Sequence, residues 1–475
     1  MGTSWRRKVP GGQACGALPG RPGIRRIRGT SGAEVPAGSD RFPGRPPQST
    51  ANPHAYPPPT SSGASVRPIS IRPNRSSVRR RTTAVCLAAV LGPLVLTACS
   101  GGSPAEKADG KAAAGAVKAE GAPATVAVTP SGTGVRAGAP VKVTASGGTL
   151  TSVTVTDGKG AALSGALSAG NTVWTSERPA APGATYRVSA KTRGTGGAEG
   201  TKEASFSTAD AGKVNTVVLA PVGKTIGIAH PVSIAFTKPV KNKAEVEKAL
   251  KVTTDNNTEG SWGWVKDFHG KDRIDWRPRN YWKPGTKVTL DARLNGVDSG
   301  PSGGFLVKDY RLSFAIGRAQ EVKVDLDRKQ LAFQRDGKTV RTIPVSGGDP
   351  DHGDKASWRG IQVLMSKEGT VRMRSQSVGL GDAYDKMVGY SMRLTWSGAY
   401  AHAAPWNSAY FGKANKSSGC IGMSTANAQS FYQDIQVGDP FTVTGKDTKG
   451  LPPQGNGFSN WNLSWEEWQQ RSALN

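Results

Sequence analysis

Residues 125–210 alternate apolar and polar side chains in short runs that are separated by Gly, Pro, Asp and Asn. The stretch "VKVTASGGTLTSVTVTDG" is typical of this part of the chain. A period of two places successive side chains on opposite faces of a strand. Short strands with turn residues every 8 to 12 positions or so are typical of a β-sandwich. The pattern predicts one sandwich over residues 125–210 and a second over residues 213–318.

Residues 320–445 carry longer alternating runs. The run "EVKVDLDRKQLAFQRDGKTVRTIPVSGG" predicts a hairpin with Asp336-Gly337 as its turn. Ser424 or Thr425 is a suitable N-cap for a short helix over "ANAQSFYQDI". The run "KNKAEVEKALKV" predicts another short helix, in the second sandwich. The chain is therefore predicted to be mainly β, with few and short helices.

Residues 446–475 contain three tryptophans, Trp461, Trp465 and Trp468. Their spacing places them on one face of a helix. We expect this extension to pack through that face on the preceding domain, residues 320–445. The alternative is that the tryptophans form a binding surface for an external partner.

The composition agrees with β domains joined by linkers. The chain of 475 residues holds 61 Gly and 32 Pro, and its mean hydropathy is −0.42. The net charge of +27 would suit a nucleic-acid-binding protein. However, residues 1–98 hold 15 Lys/Arg against 2 Asp/Glu, and the remaining charges are scattered, without a basic helix or an aromatic-basic stripe. We expect no nucleic-acid partner.

The first part of the chain is predicted to direct export. Residues 1–75 are rich in Arg, Pro, Gly and Ser, which predicts a disordered or mis-assigned N-terminal extension. Residues 76–98 combine three arginines with a short apolar run, as a signal peptide does. "LTAC" resembles a bacterial lipobox with Cys99 as the lipidated residue; the alternative is an ordinary cleavage site. Residues 99–124 are predicted to be a flexible tether, which would hold the protein at the outer face of the cytoplasmic membrane.

One cysteine remains without a predicted role in export. Of the four cysteines, Cys15 and Cys86 precede the predicted cleavage point and Cys99 would carry lipid. Cys420, in "KSSGCIGMS", then has no intramolecular disulfide partner in the exported chain. Such a thiol is either buried and inert or used chemically.

His402 precedes Cys420 in an H-x17-C spacing. A nearby imidazole can accept the thiol proton and so produce a nucleophile. Gly419 allows a backbone conformation with positive φ, and backbone N–H groups at such a turn can stabilise an oxyanion. His352 lies in the loop "GDPDHGDKASW" and is interpreted as a solvated loop histidine. The Cys-His spacing alone leaves both interpretations of Cys420 open.

The stretch "YAHAAPWNSAYFGKANKSSGCIGMSTANAQSFYQDIQVGDPFTV" resembles the active-site segment of the L,D-transpeptidases, with their YkuD-type catalytic domain. The resemblance covers residues 321–445 and implies Ig-like domains before them and a Trp-bearing extension after them. The catalytic residues that it implies are the nucleophile Cys420, the base His402, and Gly419 with the Cys420 amide as the oxyanion-binding backbone. The substrate-binding residues that it implies are Tyr384 on a flap, Ser397 and Gly398 on a strand, Trp406 as an aromatic wall, and Ser417 and Ser418 in the motif.

Three positions depart from the family pattern. Ser418 stands where many members have His, Ala403 where some have Ser, and Gly422 where many have Asn. With Ala403, the contact that orients the His402 ring must come from a backbone carbonyl or another group.

The resemblance implies an acyltransferase of peptidoglycan. A tetrapeptide stem would donate its acyl group to Cys420 with loss of D-alanine, and a diamino-acid amine of a second stem would accept it, giving a 3→3 cross-link. No metal or cofactor is implied, and carbapenems are expected to acylate the cysteine. The alternatives are an L,D-carboxypeptidase acting on the same stems and a non-catalytic wall-binding lipoprotein.

Overall fold

The computed structural model describes residues 121–475. The predictions for the N-terminal extension, the signal peptide, Cys99 and most of the tether lie outside the described residues. Within residues 121–475, no helix is both long enough and apolar enough to cross a bilayer.

Domain 1 is a β-sandwich. Its strands are β1 (Thr125–Thr129), β2 (Gly132–Val135), β3 (Pro140–Ser146), β4 (Gly148–Asp157), β5 (Gly165–Leu167), β6 (Val173–Pro179), β7 (Thr185–Gly194) and β8 (Glu199–Thr208). They form two four-stranded sheets, β1-β3-β6-β5 and β2-β8-β7-β4. In β3, Val141, Val143 and Ala145 are buried and the residues between them are exposed. The period of two in the sequence therefore does separate the core face from the solvent face.

Domain 2 is a second β-sandwich with one short helix. Its elements are β9 (Val214–Asn215), β10 (Val217–Ala220), β11 (Thr225–Ile226), β12 (Val232–Phe236), α1 (Lys243–Lys248), β13 (Leu250–Thr254), β14 (Gly260–Lys266), β15 (Asp272–Pro278), β16 (Lys287–Ala292), β17 (Phe305–Leu306) and β18 (Tyr310–Ile316). The two main sheets are β10-β12-β15-β14 and β11-β18-β16-β13. Fully buried Ile234, Ile274 and Leu290 belong to the core between them. Helix α1 confirms the helix predicted in this part of the sequence.

Domain 3 contains a six-stranded and a four-stranded sheet. Its elements are β19 (Gln320–Asp325), β20 (Gln330–Arg335), β21 (Lys338–Pro344), β22 (Trp358–Val363), β23 (Ser366–Arg374), β24 (Asp385–Arg393), β25 (Tyr400–Ala403), β26 (Ile421–Met423), α2 (Thr425–Asp434), β27 (Pro440–Thr444) and β28 (Lys449–Gly450). The sheets have the orders β21-β20-β19-β27-β22-β28 and β23-β24-β25-β26. Helix α2 buries Ala428 and Phe431 in the core that the two sheets share.

Two local predictions in domain 3 are confirmed. Asp336 and Gly337 both have positive φ, 49° and 76°, and connect β20 to β21. This conformation at both central residues matches the right-handed twist of the paired strands. Ser424 is the N-cap of α2, because its side chain accepts a hydrogen bond from the Asn427 amide at 3.2 Å. The helix thus begins directly after the strand that follows Cys420.

The Trp segment, defined here as residues 446–475, contributes β28 to the larger sheet of domain 3 and so packs on that domain as predicted, but two predictions about its tryptophans are wrong. Trp461 lies in a 3₁₀ turn (Asn460–Asn462) and only Trp465 and Trp468 lie in helix α3 (Trp465–Gln469), so the tryptophans do not share one helical face. They pack mainly on domain 2 rather than on domain 3. The indole N–H of Trp468 donates to Ser261 O at 3.0 Å, and that of Trp461 donates to Ala229 O at 2.7 Å.

Domain 2 also contacts the tryptophans through a cation, the guanidinium group of Arg277. The Arg277 guanidinium lies 4.7 Å from the ring of Trp461 and 5.3 Å from the ring of Trp468. The segment also contacts domain 3, where the Asn462 side chain bonds both backbone groups of Ile361. The Trp segment therefore joins domain 2 to domain 3.

Domains 2 and 3 also meet directly. The Gly227 amide donates to Val437 O at 2.8 Å, and the Ala229 amide donates to Gly438 O at 2.9 Å. Ala229 of domain 2, Val363 of domain 3 and Phe458 of the Trp segment form one buried apolar cluster. The contact region of domain 2, domain 3 and the Trp segment is called the joint below. All three contribute to its buried apolar cluster, which excludes water.

Candidate active site

Cys420 lies at the end of a tight turn that leads into β26. It is the only cysteine within residues 121–475. Gly419 before it has φ of 108°, a conformation that side chains other than glycine's rarely adopt. The Ser417 hydroxyl closes the turn by donating to Cys420 O at 2.6 Å. The thiol itself donates to the carbonyl oxygen of Gly398 at 3.7 Å. Gly398 and Ser397 lie in a turn between β24 and β25 rather than on the predicted strand, and this turn contacts the predicted nucleophile.

His402 lies on β25, which pairs in parallel with β26. In that register His402 stands opposite Gly422, two residues after Cys420. The imidazole is buried, and its Nδ1 lies 2.8 Å from the carbonyl oxygen of Ala403. A carbonyl oxygen only accepts, so Nδ1 carries the proton and Nε2 carries the free lone pair. The backbone therefore provides the orienting contact, and no side-chain hydroxyl is needed at position 403.

Burial disfavours the charged forms of both reacting groups. Desolvation raises the pKa of the Cys420 thiol to about 11, and burial lowers the pKa of His402. Within the described part of the chain, no hydrogen bond joins the His402 ring to the Cys420 thiol; the partners of the thiol are the Gly398 carbonyl oxygen and the Tyr400 backbone. The thiol and the imidazole line the same cavity, where the imidazole can accept the thiol proton.

Tyr384 lies on the loop between β23 and β24. Buried Ser375 holds this loop, because its hydroxyl accepts from the Tyr384 amide at 3.0 Å and donates to Gly381 O at 2.6 Å. Desolvation, and next the charge of the nearby Cys420 thiolate, raise the pKa of Tyr384 to about 12. The phenol therefore stays protonated beside the thiol and can act as a hydrogen-bond donor.

Two cavities flank the Cys420 turn. The first, of about 200 Å³, is lined by Cys420, His402, Trp406 and Ser417, among others. The second, of about 150 Å³, is lined by Ser397, Gly398 and Gly419, among others. Tyr384 and Ser418 line both. The structure therefore brings all nine site residues that the sequence predicts in domain 3 to the walls of two adjoining cavities.

Basic groups surround the first cavity. The Trp406 ring stacks on His402 with 6.0 Å between centroids, and the Lys386 ammonium lies 4.7 Å from the Trp406 centroid. Lys416 also lines this cavity and pairs with Asp349 at 3.2 Å. His352 is exposed and pairs with the same Asp349 at 3.3 Å, as expected of a solvated loop histidine. Lys416 also pairs with Asp351 at 3.0 Å, so its charge is matched by carboxylates of the chain, and Lys386 is the lysine of this cavity that favours a ligand with a carboxylate.

Ser357 is a residue of this site that the sequence does not indicate. Its buried hydroxyl accepts from the Gly348 amide at 2.9 Å and donates to Gly419 O at 3.0 Å. The carbonyl and the amide of a trans peptide point in opposite directions. By fixing the Gly419 carbonyl, Ser357 therefore also fixes the direction of the Cys420 N–H, the predicted oxyanion donor. No motif precedes the Cys by a spacing that would reveal this contact.

Gly422, where the family pattern often has Asn, is part of the sheet. It exchanges two hydrogen bonds of 2.9 Å with Ser346. A Cβ at this position would lie 2.9 Å from the Cβ of Ala404. The tight packing of β26 leaves no room for a side chain here, so this chain makes no side-chain contact to a ligand from position 422.

A larger cavity lies away from Cys420. It measures about 830 Å³ and lies between domains 1 and 2, where Arg136, Glu177, Lys248 and Asp298 are among its lining residues. Its walls mix both signs of charge and include no cysteine or histidine. The candidate chemistry is therefore at the smaller cavities beside Cys420.

Family comparisons agree with this location. Residues 319–443 match the model of the L,D-transpeptidase catalytic domain, the YkuD family, which spans Cys420, His402 and all other predicted site residues of domain 3. Residues 132–298 match the model of a bacterial Ig domain, which spans parts of domains 1 and 2. The chain is mainly β, with Ig-like domains before a YkuD domain.

Individual relatives extend the likeness over most of the chain. L,D-transpeptidase 5 of Mycobacterium tuberculosis is 33% identical over 337 residues, which cover 71% of this chain and 74% of that protein. L,D-transpeptidase 2 of the same species is 30% identical, over 74% of this chain and 84% of that protein. A solved L,D-transpeptidase in complex with imipenem is 32% identical over 49% of this chain and 99% of that chain, with a TM-score of 0.41. This chain belongs to the L,D-transpeptidase family.

Proposed function

We propose that the chain forms 3→3 cross-links between peptidoglycan stem peptides through a thioester on Cys420. The observation that carries the proposal is the position of Cys420 in the wall of the first cavity, with a second cavity adjoining it at Gly419 and the buried His402 imidazole on the adjoining strand. Two adjoining cavities beside one nucleophile suit a reaction with two peptide substrates.

The first step would acylate the thiol. The Cys420 sulfur attacks the carbonyl carbon of the third residue of a tetrapeptide stem, and His402 Nε2 accepts the thiol proton. The Cys420 N–H, directed by Ser357 through Gly419, would stabilise the oxyanion. The carbon–nitrogen bond to the terminal D-alanine then breaks, and His402 returns the proton to the leaving amine.

The second step would transfer the acyl group. The side-chain amine of a diamino acid in another stem attacks the thioester carbonyl, and His402 accepts the amine proton. The carbon–sulfur bond breaks, and the proton passes to the leaving sulfur, which restores the neutral thiol. The Lys386 ammonium group would attract a carboxylate of the stems. The reaction as proposed uses neither a metal nor a cofactor.

The test uses the mass of the intact protein after exposure to a carbapenem. We expect one adduct on the wild-type chain and none on Cys420→Ala, because the ring carbonyl would acylate the thiol. Thermal unfolding of both proteins controls for folding. A folded wild-type chain without an adduct would contradict the assignment of Cys420 and favour a non-catalytic wall-binding protein.

A second assay separates transfer from hydrolysis. The chain is incubated with a disaccharide-tetrapeptide, and the products are separated by mass. A cross-linked dimer with loss of one D-alanine is the expected product. Tripeptide alone would mean that water is the acceptor, and the chain would then be an L,D-carboxypeptidase.

We also propose that Cys99 carries a lipid that holds the protein at the outer face of the cytoplasmic membrane. The proposal rests on the "LTAC" stretch after a short apolar run. Metabolic labelling with a fatty acid should label the wild-type chain and not Cys99→Ala. Labelling of neither protein, with both recovered in the soluble fraction, would contradict the lipid anchor.

A further inference from the structure

We propose that Asn456, in the Trp segment, is a positioning residue for the Cys420 thiol. The proposal rests on the proposed function, because it treats that thiol as the nucleophile. Asn456 does not line either cavity beside Cys420. Its influence would pass through the turn formed by residues 395–398.

Asn456 bonds Ser397 at two points. Its side-chain oxygen accepts from the Ser397 amide at 2.9 Å, and its side-chain NH₂ donates to the Ser397 hydroxyl at 2.8 Å. Asn456 is 7% exposed, so water competes little for either bond. A planar amide with two bonds to one residue fixes both the position and the orientation of that residue.

Ser397 belongs to the turn that supplies the hydrogen-bond acceptor of the thiol. The Gly398 amide donates to Thr395 O at 3.3 Å, and the Ser397 and Thr395 hydroxyls lie 3.1 Å apart. Gly398, with φ of 92°, then directs its carbonyl oxygen to the Cys420 sulfur at 3.7 Å. A shift of Ser397 would therefore move the group that orients the thiol.

The residues after Asn456 are fixed to domain 2. The Arg273 guanidinium donates to Gly457 O at 3.1 Å, and the Asn460 side chain donates to the Asp275 carboxylate at 3.2 Å. The Phe458 ring lies 4.4 Å from the ring of His230. Asn456 thus relates the geometry at Cys420 to a domain that contributes no residue to the two cavities.

Asn462 provides a matched control. It is an asparagine of the same segment, and its side chain likewise forms two bonds of 2.8 Å to one residue of domain 3, Ile361. Ile361 lies on β22 and does not line either cavity beside Cys420. Loss of the Asn462 contacts therefore weakens the joint without touching the turn at residues 395–398.

The experiment compares Asn456→Ala, Asn462→Ala, Asn456→Asp and the wild type, each as the full chain. Three quantities are measured: the second-order rate of acylation by a carbapenem, the pH profile of Cys420 alkylation by iodoacetamide, and the temperature of unfolding. We expect Asn456→Ala to slow acylation by about tenfold or more, because misplaced reacting groups lose orientation. The alkylation profile of this variant should also differ from that of the wild type, because the turn positions the Gly398 carbonyl, a hydrogen-bond partner of the thiol.

Asn462→Ala should lower the unfolding temperature as Asn456→Ala does, yet keep the wild-type acylation rate and alkylation profile. Asn456→Asp can still accept from the Ser397 amide and can accept from its hydroxyl, so it should recover most of the rate. Equal acylation rates and profiles in the two alanine variants would overturn the proposal. If Asn456→Ala does not fold, Asn456→Ser takes its place, because the shorter side chain cannot keep both bonds to Ser397; a wild-type acylation rate and alkylation profile in Asn456→Ser would then overturn the proposal.

The alkylation profile keeps this proposal separate from the proposed function. If the wild-type chain forms no carbapenem adduct, the function fails, but the profiles of the two alanine variants still test whether Asn456 orients the thiol. A wild-type adduct with identical profiles in both variants would leave the function standing and overturn the role of Asn456.

Discussion

His402 donates from Nδ1 to the carbonyl oxygen of Ala403, its neighbour on the same strand, at 2.8 Å. The bond leaves Nε2 as the basic nitrogen without help from any side chain. His402→Ala should lower the rate of carbapenem acylation by about 10²- to 10⁴-fold. His352→Ala is the matched control and should keep the wild-type rate, because His352 is exposed and bonds only Asp349 and nearby backbone. A loss in His352→Ala with none in His402→Ala would reverse the assignment of the base.

The reactivity of the Cys420 thiol should depend on pH, because burial raises the pKa of this thiol. With a pKa of about 11, roughly one Cys420 in ten thousand is a thiolate at pH 7. Alkylation by iodoacetamide should therefore rise with pH up to about pH 11, with Cys420→Ala as the blank. A plateau that begins near pH 7 would instead indicate a thiolate-imidazolium pair at rest.

Although Ser357 is buried, its substitution should lower the rate of acylation. Ser357→Ala removes the bond that fixes the Gly419 carbonyl, and we expect the maximal acylation rate to fall by about tenfold. Ser299→Ala is the control, since that hydroxyl is also buried and donates to a backbone carbonyl, Gly304 O, but in domain 2. It should lower stability and leave the rate unchanged. Equal rates in the two variants would remove Ser357 from the oxyanion site.

The sequence predicts local features of the structure better than contacts between distant segments. The period of two in β3, the Asp336-Gly337 turn and the Ser424 cap all follow from residues close together in the chain, and these predictions are confirmed. The position of His402 near Cys420 depends on the pairing of β25 with β26. Only the family resemblance predicts that these two residues act together.

Contacts between distant segments were not predictable in this way. Ser357 lies 62 residues before Gly419, and Asn456 lies 59 residues after Ser397. Each contact is made by one polar side chain with the backbone of a turn, which leaves no periodic signal. The tryptophans were assigned to the wrong domain for a related reason. Their spacing shows that they pack, whereas the choice of partner depends on Arg277, whose position is set by the fold of domain 2.

The joint between domains 2 and 3 should respond to pH through Asp439. Burial raises the pKa of this carboxyl to about 7, although the Gln436 amide, the Gln320 side chain, Arg318 and Lys367 all favour its charged form. Between its unfolded pKa near 4 and pH 7, the folded chain therefore holds more protons than the unfolded chain. The stability contributed by this group is fully present below pH 4 and is lost as the pH rises through 7.

Asp439→Asn removes this titration. We expect the variant to be more stable than the wild type by about 1 to 3 kcal/mol at pH 8, with the difference shrinking towards pH 4. The difference between the two proteins is the quantity to measure, by denaturant unfolding at each pH. Buried His230, whose pKa falls to about 4, acts in the opposite sense in both proteins. A constant difference from pH 4 to pH 8 would contradict the role of Asp439.

Trp468 should account for much of the stability of the joint. It is fully buried, bonds Ser261 O, and packs against Gly263, where a Cβ would lie 2.6 Å from its ring. Trp468→Ala should lower the free energy of unfolding by about 3–5 kcal/mol. The exposed Trp406 provides the comparison, and Trp406→Ala should cost less than about 1 kcal/mol. Equal losses would mean that the Trp segment is not seated on domain 2.

The Trp segment follows, in the chain, both of the domains that it joins. Ala229 and Val363 come from the two domains, and Phe458 of the Trp segment completes the apolar cluster that buries them. A chain cut off before Phe458 would therefore keep the central strands of both domains and lose the side chains that cover their junction.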